Sequence, residues 1–253
     1  MSQNTVTLRL LSYNVQTGIT SERYRHYVTR SWRHVLPYPS RWVNLDGIAG
    51  AIAGYDLVGL QEVDSGSLRT SFVNQTEYLA DRARFPFWHH QVNRRIGHLA
   101  QQSNGVLSRL PVESLTDLKL PGLPGRGALV LRLAGPATPL TVFILHLALG
   151  KRARLRQLSF LAEEIAREPC AVVMGDLNCG PESEELRLLL ANTPLRPPAE
   201  RLHTFPSWEP RRHIDHILVT DTLIPQRTYV PNWPFSDHLP VAMDVRLPCS
   251  AAH

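Results

Sequence analysis

The residues of this chain best suited to chemistry are carboxylates, amides and imidazoles that close or follow apolar runs. They are Asn14, Glu62, His146, Asp176, Asn178, Asp215, Asp237 and His238. The clearest case is ValValMetGlyAspLeuAsnCys at 172–179, where an apolar, β-branched run breaks at Gly175 and sets Asp176 and Asn178 two apart. Alternate side chains on an extended backbone share a face, so the carboxylate and the amide project together. Oxygen donors placed this way meet a hard cation or a phosphate. The same pair can also do no more than hydrogen-bond its own loop backbone. Number and distribution separate the two readings. Eight residues of types that ligate cations, contact phosphate or move protons, each at the end of an apolar run, point to one shared site.

The elements that must position them follow from periodicity. Residues 6–15 alternate and then become continuously apolar, a strand that delivers Asn14. Val43, Leu45, Ile48, Ala49 and Ile52 recur at helical spacing and Gly54 closes that helix. AspLeuValGlyLeuGlnGluVal at 56–63 is a second buried strand, ending on Gln61 and Glu62. A short helix is expected over 74–84, a strand over 87–92 and a polar loop with His98 over 94–103. Further strands are expected within 105–112, 128–133 and 140–147, the last delivering His146. Residues 152–167 place Leu155, Leu158, Leu161, Ala162 and Ile165 on one face of a helix, with Arg152, Arg154 and Arg156 at its start. Basic residues there oppose the helix dipole, so either an anion lies close by or the face is solvated. A helix over 181–190, a proline-rich surface loop over 193–210 and strands at 213–219 and 241–247 complete the chain. Asp237 and His238 sit just ahead of the final strand.

Length and composition suit one α/β (α+β) domain over 1–253, with 43% hydrophobic residues to bury. A formal charge of +5 and a pI near 9.4 favour an anionic partner: nucleic acid, phospholipid headgroup or phosphorylated small molecule. Lysine occurs only at Lys119 and Lys151, so arginine carries the charge; this reflects either phosphate contact or a GC-rich genome. Cys170, Cys179 and Cys249 do not form a disulfide framework or a zinc knuckle, and all three are expected as free thiols. No basic leader or run of eighteen apolar residues occurs, so a cytoplasmic monomer with no transmembrane segment is expected. Residues 20–41 read as an insertion in which Tyr24, Tyr27, Trp32 and Tyr38 interleave with arginines. Such a segment either stacks on a nucleotide or lipid headgroup or packs back on the domain as a surface excursion.

The motifs in order are SerTyrAsnVal (12–15), LeuGlnGluVal (60–63), GlyValLeuSerArg (105–109), LeuHisLeu (145–147), GlyAspLeuAsn (175–178), IleAspHisIle (214–217) and SerAspHisLeuPro (236–240). Across almost the whole chain this series resembles the endonuclease/exonuclease/phosphatase superfamily. The resemblance implies a four-layer sandwich: two mixed β-sheets packed face to face, helices outside, and the site at one edge. It implies a Mg2+ or Mn2+ ion held by Glu62 with Asn14 beside it and Asp237 contributing, oxygen donors that suit a hard ion. Asp215 then orients His238; Asp176 and His238 are alternative bases for the attacking water; Asn178 donates to a phosphate oxygen; and His146 stands where the deoxyribonuclease and sphingomyelinase branches carry histidine. Arg69, Asn74 and Asn104 near the mouth, with Arg25, His26, Arg33 and His34 of the insertion, are the substrate-binding candidates. The reaction implied is metal-dependent hydrolysis of a small or lipid-linked phosphodiester. The alternative is a Mg2+-dependent nuclease on DNA or RNA. A binding module that has kept only the fold is disfavoured, because none of the motif residues is substituted.

Overall fold

The computed structural model describes residues 6–19, 39–122, 124–135, 138–197 and 200–248. The chain runs β1 (Thr7–Asn14), α1 (Ser40–Ile52), β2 (Leu57–Asp64), α2 (Gln75–Ala83), β3 (Phe87–Ile96), β4 (Ala100–Ser108), β5 (Val112–Lys119), β6 (Gly127–Leu133) and β7 (Leu140–His146). It continues through α3 (Lys151–Ile165), β8 (Ala171–Asp176), α4 (Glu184–Ala191), β9 (Asp215–Val219), β10 (Ile224–Tyr229) and β11 (Val241–Arg246). Six strands form one sheet in the order β10-β11-β1-β2-β4-β3, and five form a second in the order β5-β6-β7-β8-β9.

Strand parity explains the layers. Leu8 and Leu10 of β1 and Leu57 of β2 point between the sheets, where they meet Val142, Ile144, Val172 and Met174 of the second. Their neighbours Leu11, Tyr13, Val58 and Leu60 point outward onto Leu45, Ile48 and Ile52 of α1 and Leu79 of α2. On the opposite outer surface Phe143, Leu145 and Val173 pack against Leu158, Leu161 and Ile165 of α3 and Leu186 and Leu189 of α4. Strands buried on both faces need apolar residues at every position, which is why the central ones read as continuous runs. The result is the four-layer sandwich expected.

Direction brings the functional residues to one edge. β1 and β2 are parallel, as are β7 and β8, with His146 beside Asp176 in register. Their C-terminal ends therefore lie together. β9 runs antiparallel to β8, so its first residue, Asp215, stands opposite Asp176. β11 is antiparallel to β1, and the turn that precedes it brings Asp237 and His238 to the same edge.

Three parts of the chain differ from expectation. Residues 94–103 are not a loop: β3 continues to Ile96 and β4 starts at Ala100, leaving only a tight turn. β5 and β10 are edge strands with largely exposed side chains that give no apolar signal. Arg25, His26, Arg33, His34 and Cys249 lie outside the described residues. Cys170 and Cys179 are buried free thiols. Among the described residues no helix is long and apolar enough to cross a membrane.

The turn after β2 is built on Asp64. Its carboxylate accepts from Ser67 Oγ at 2.7 Å, Gln101 N at 3.1 Å, Gly66 N at 3.0 Å and Thr70 Oγ1 at 3.1 Å, and it pairs with Arg69 Nε. Arg69 is only 4% exposed, so its guanidinium is used inside the fold and does not reach solvent or the site edge. Burial acts to raise the Asp64 pKa, but the Arg69 charge and the hydrogen bonds outweigh it and hold the carboxyl below its usual range. Its stabilisation is therefore present above the unfolded aspartate pKa of about 4 and fades as pH falls through the depressed folded value. Asp64→Asn should cost about 3–5 kcal/mol in urea denaturation at pH 7, because it strands a buried guanidinium. The deficit should shrink in acid. Equal stability of the two proteins at pH 7 would contradict this account.

Candidate active site

The edge residues meet in a cleft of about 380 Å³ lined by Gln16, Glu62, Arg126, His146, Asp176, Asn178, Asp237 and His238, with Leu149, Phe205, Arg212 and Ile214 at its walls. Unusual backbone sets up the centre. A register shift in the β2–β4 pairing between Leu60 and Val63 marks a bulge, and Glu62 there takes φ +57°. A bulge re-aims a side chain, and this one turns the Glu62 carboxylate into the cleft. Asn178 takes φ +53°, which asparagine tolerates better than most residues. Its backbone N–H donates to Asp176 Oδ1 at 2.9 Å and its Nδ2 to Leu147 O at 3.0 Å. At Gly175, φ is +149° and a Cβ would lie 2.0 Å from Leu145 O, so no side chain fits there.

The contacts form a chain across both sheets. Asn14 Nδ2 donates to Asp176 Oδ2 at 3.2 Å. His146 Nε2 lies 3.6 Å from Asp176 Oδ2 and 3.8 Å from Glu62 Oε1. His238 Nδ1 is 2.9 Å from Asp215 Oδ2, while its Nε2 is 3.9 Å from Asp176 Oδ2. Thr204 Oγ1 donates to the same Asp215 oxygen, and Phe205 tilts against the His238 ring at 4.8 Å. Asp237 lines the cleft and accepts from Ser236 Oγ at 3.2 Å.

Burial and neighbouring charge set the protonation states. For His238 burial opposes the charged form, but Asp215, Asp176 and Asp237 prevail and raise its pKa to about 10. Burial, then the charges of Arg126 and His238, hold His146 well below the usual histidine range. Burial and the Asp215 charge push the Asp176 carboxyl up, and burial and Asp237 do the same for Glu62. One imidazole is thus a cation and the other neutral, beside two carboxyls of raised pKa.

Asp176, Asp215 and His238 offer ligand atoms within 4.8 Å of one another, close enough to hold a metal ion. Asp215 Oδ2 accepts from His238 and Thr204 and both Asp176 oxygens accept hydrogen bonds, whereas Asp215 Oδ1 is buried without a hydrogen-bond partner. A protonated imidazole is also no ligand. Glu62, whose side chain is 28% exposed, has Asn14 as a hydrogen-bonding neighbour and Asp237 as a repelling one. An oxygen set with surplus negative charge fits Mg2+ or Mn2+ better.

Asn74 and Asn104 do not line the cleft. Asn74 caps α2, its side-chain oxygen accepting from Thr76 N at 3.0 Å and its amide contacting His90 Nδ1 at 3.0 Å. Asn104 is fully buried and donates to Gly127 O at 3.0 Å. Together with Arg69, these polar groups satisfy the fold from within. The cleft instead contains Arg126, whose half-buried guanidinium has no hydrogen bond or ion pair to a described residue. Arg126 gives no sequence signal, since it lies in the glycine- and proline-rich turn between β5 and β6. Thr204 is likewise hidden in the proline-rich loop.

Comparison with known proteins shows the family and the fold. The family described as Endonuclease/Exonuclease/phosphatase family matches residues 11–238. The uncharacterised protein YbhP of Escherichia coli (strain K12) is 31% identical over 168 residues, which cover 57% of this chain and 62% of that protein. The chain thus spans less than two thirds of that relative. An endonuclease/exonuclease/phosphatase structure from Beutenbergia cavernae superposes with a TM-score of 0.73 at 19% identity, covering 96% of this chain and 72% of that one. A mannosyl-6-phosphatase of Bacteroides thetaiotaomicron superposes at 0.70 with 17% identity, covering 94% and 99%. At such identities the two structures share the fold.

The two cleft histidines should titrate in opposite senses. In metal-free buffer, ¹⁵N-detected NMR of the imidazoles should show His146 neutral at pH 6 and His238 still charged at pH 8. Ordinary titration of both near the usual histidine value of about 6.5 would overturn the electrostatic reading.

Proposed function

The chain belongs to the endonuclease/exonuclease/phosphatase family, and on that premise we propose that it is a divalent-metal-dependent phosphoesterase hydrolysing a phosphodiester by in-line attack of water. The observation that carries the proposal is the convergence of Glu62, His146, Asp176 and His238 with Arg126, which has no hydrogen bond to a described residue, in one cleft. Glu62 and Asn14, with Asp237 contributing, would hold Mg2+ or Mn2+. Such an ion supplies charge neutralisation for a nonbridging phosphate oxygen and for the leaving oxygen.

The protein's own groups divide the remaining work. Arg126 meets the phosphate with its planar fork. Asn178 has committed one side-chain N–H to Leu147 O and can give the second to a phosphate oxygen without adding negative charge. His238, held cationic by Asp215, is not available as a base at neutral pH; it donates from Nε2 to the developing oxyanion. Asp176 then takes the water's proton, favoured by its raised pKa. As the water oxygen bonds to phosphorus, the opposite P–O bond breaks and the leaving oxygen acquires a proton from solvent. His146, neutral, contacts the carboxylates of Glu62 and Asp176 and fixes their spacing.

A cleft of about 380 Å³ with apolar walls at Leu149, Phe205 and Ile214 favours a small or lipid-linked phosphodiester over a long nucleic acid. That the similarly folded Bacteroides thetaiotaomicron protein is a mannosyl-6-phosphatase supports a small, bounded substrate. A nuclease is the second reading, carried by the arginine-rich surface.

Hydrolysis of bis-p-nitrophenyl phosphate should require Mg2+ or Mn2+ and cease in EDTA. Asp215→Asn and His238→Ala should each lower the rate by roughly a hundredfold to ten-thousandfold, and the double variant should be far from additive because the pair acts as a unit. Undiminished turnover in EDTA, or fully additive losses, would refute this mechanism.

A further inference from the structure

Arg126 belongs to two spaces. Besides the cleft it lines a neighbouring groove of about 410 Å³, bounded by Gln91 and Asn93 of β3, Asp117 and Lys119 of β5, and the turn at Gly125. The groove runs along the lateral crevice where the edge strands of the two sheets, β3 and β5, face each other. The stem of Arg94 lies against that turn, since a Cβ at Gly125 would come within 3.4 Å of Arg94 Cδ. Arg94 is close enough for its charge to act on Arg126. Lys119 and Arg126, which line the groove, and Arg94, which lies beside its turn, have no hydrogen bond or ion pair to any described residue, and Asp117, the groove's one lining acid, faces His89 Nε2 at 3.4 Å.

The wall between cleft and groove is built closely. Gly127, next to Arg126, admits no side chain, because a Cβ would lie 2.3 Å from both Gln91 Oε1 and Asn93 Oδ1. Gln91 is held in turn by donation to Leu118 O at 3.2 Å and Ala128 O at 3.1 Å. The backbone next to Arg126 is therefore held at the junction of the two spaces, both of which Arg126 lines. From the cleft side Glu62 and Asp176 favour the Arg126 charge, while Arg94 on the groove side disfavours it, and an anion bound in the groove would offset that repulsion. Two guanidinium groups and an ammonium suit phosphate oxygens.

We propose that this groove is a subsite for a second phosphate group of the substrate, held by Arg94 and Lys119 while the scissile phosphate occupies the cleft on the other side of Arg126. The inference rests on the phosphodiesterase reading and narrows its substrate to one carrying two phosphates, with Arg94 and Lys119 as the residues that select it.

Binding without turnover tests it. In EDTA, calorimetric titration should show thymidine 3′,5′-bisphosphate binding at least about tenfold more tightly than thymidine 5′-monophosphate, the scale of one added charge-assisted contact. The double variant Arg94→Ala, Lys119→Ala should lose that preference yet keep monophosphate binding and metal-dependent hydrolysis of bis-p-nitrophenyl phosphate. The double variant Arg152→Ala, Arg156→Ala, an equal loss of charge on α3, should keep the preference, which separates a site from general attraction. Parallel titrations with inositol 1,4-bisphosphate and an oligothymidylate identify the source of the second phosphate; tighter binding of either than of the monophosphate supports the subsite. No preference for two phosphates, or a preference that survives the double variant, overturns it. A preference present in a protein that hydrolyses nothing would uphold the subsite while refuting the hydrolase reading.

Discussion

The rest of the structure depends on the burial of like charges at one edge of a β-sandwich. Asp176 and Asp215 stand opposite each other in register, both almost fully buried, and Glu62 and Asp237 face the same cleft. Carboxylates removed from water without compensation are costly, and mutual repulsion adds to the cost. Three responses are visible. The His238 imidazole is held cationic by Asp215, Arg126 is brought in from the β5–β6 turn, and neutral groups of Asn14, Asn178 and Thr204 donate to the Asp176 and Asp215 oxygens, leaving Asp215 Oδ1 without a partner. Under the proposed function, the surplus still evident at Glu62 is what would hold a cation.

Holding these groups in place requires the loops to be tied to one another. Asn178, after β8, donates to Leu147 O, after β7. Gln157 of α3 accepts from Ala148 N at 3.0 Å, and Arg154 donates to the carbonyls of Ala148 and Leu149 while pairing at 2.7 Å with Glu185, buried at the start of α4. Arg154 thus braces the loop that carries His146 against the loop that carries Asp176. The basic start of α3 is explained by this pair and by Lys151 with Glu184, at 2.7 Å. Of the two alternatives raised by the helix dipole, a nearby anionic group describes Arg154, which meets Glu185, and a solvated face describes the exposed Arg152 and Arg156.

What the sequence made legible follows burial. β1, β2, β7 and β8 are covered on both faces, so their runs are continuous and the polar residue ending each is conspicuous. β5 and β10 lie at sheet edges and carry mostly exposed residues, leaving no periodic signal, while residues 94–103 are polar yet paired for most of their length. At the site, residues delivered by strand ends were legible because strand direction alone gathers them. Arg126 and Thr204 were not, because a loop places its side chains by tertiary contact. Arg69, Asn74 and Asn104 show the converse: polar residues near strand ends in sequence are consumed by an ion pair, a helix cap and a backbone carbonyl. For Asn74 the sign was present, since an asparagine immediately before a helix is a cap before it is a ligand.

If surplus negative charge is the organising constraint, removing one charge should stabilise the empty protein and abolish its response to metal. The direct measurement is the melting temperature of the native protein and of Glu62→Gln, with and without millimolar Mg2+ or Mn2+. The native protein should gain stability with metal, as any ligand bound only by the folded state requires. Glu62→Gln should melt at or above the native value without metal and gain little when metal is added. A variant that melts lower without metal, or that keeps the full metal-dependent rise, would contradict the account.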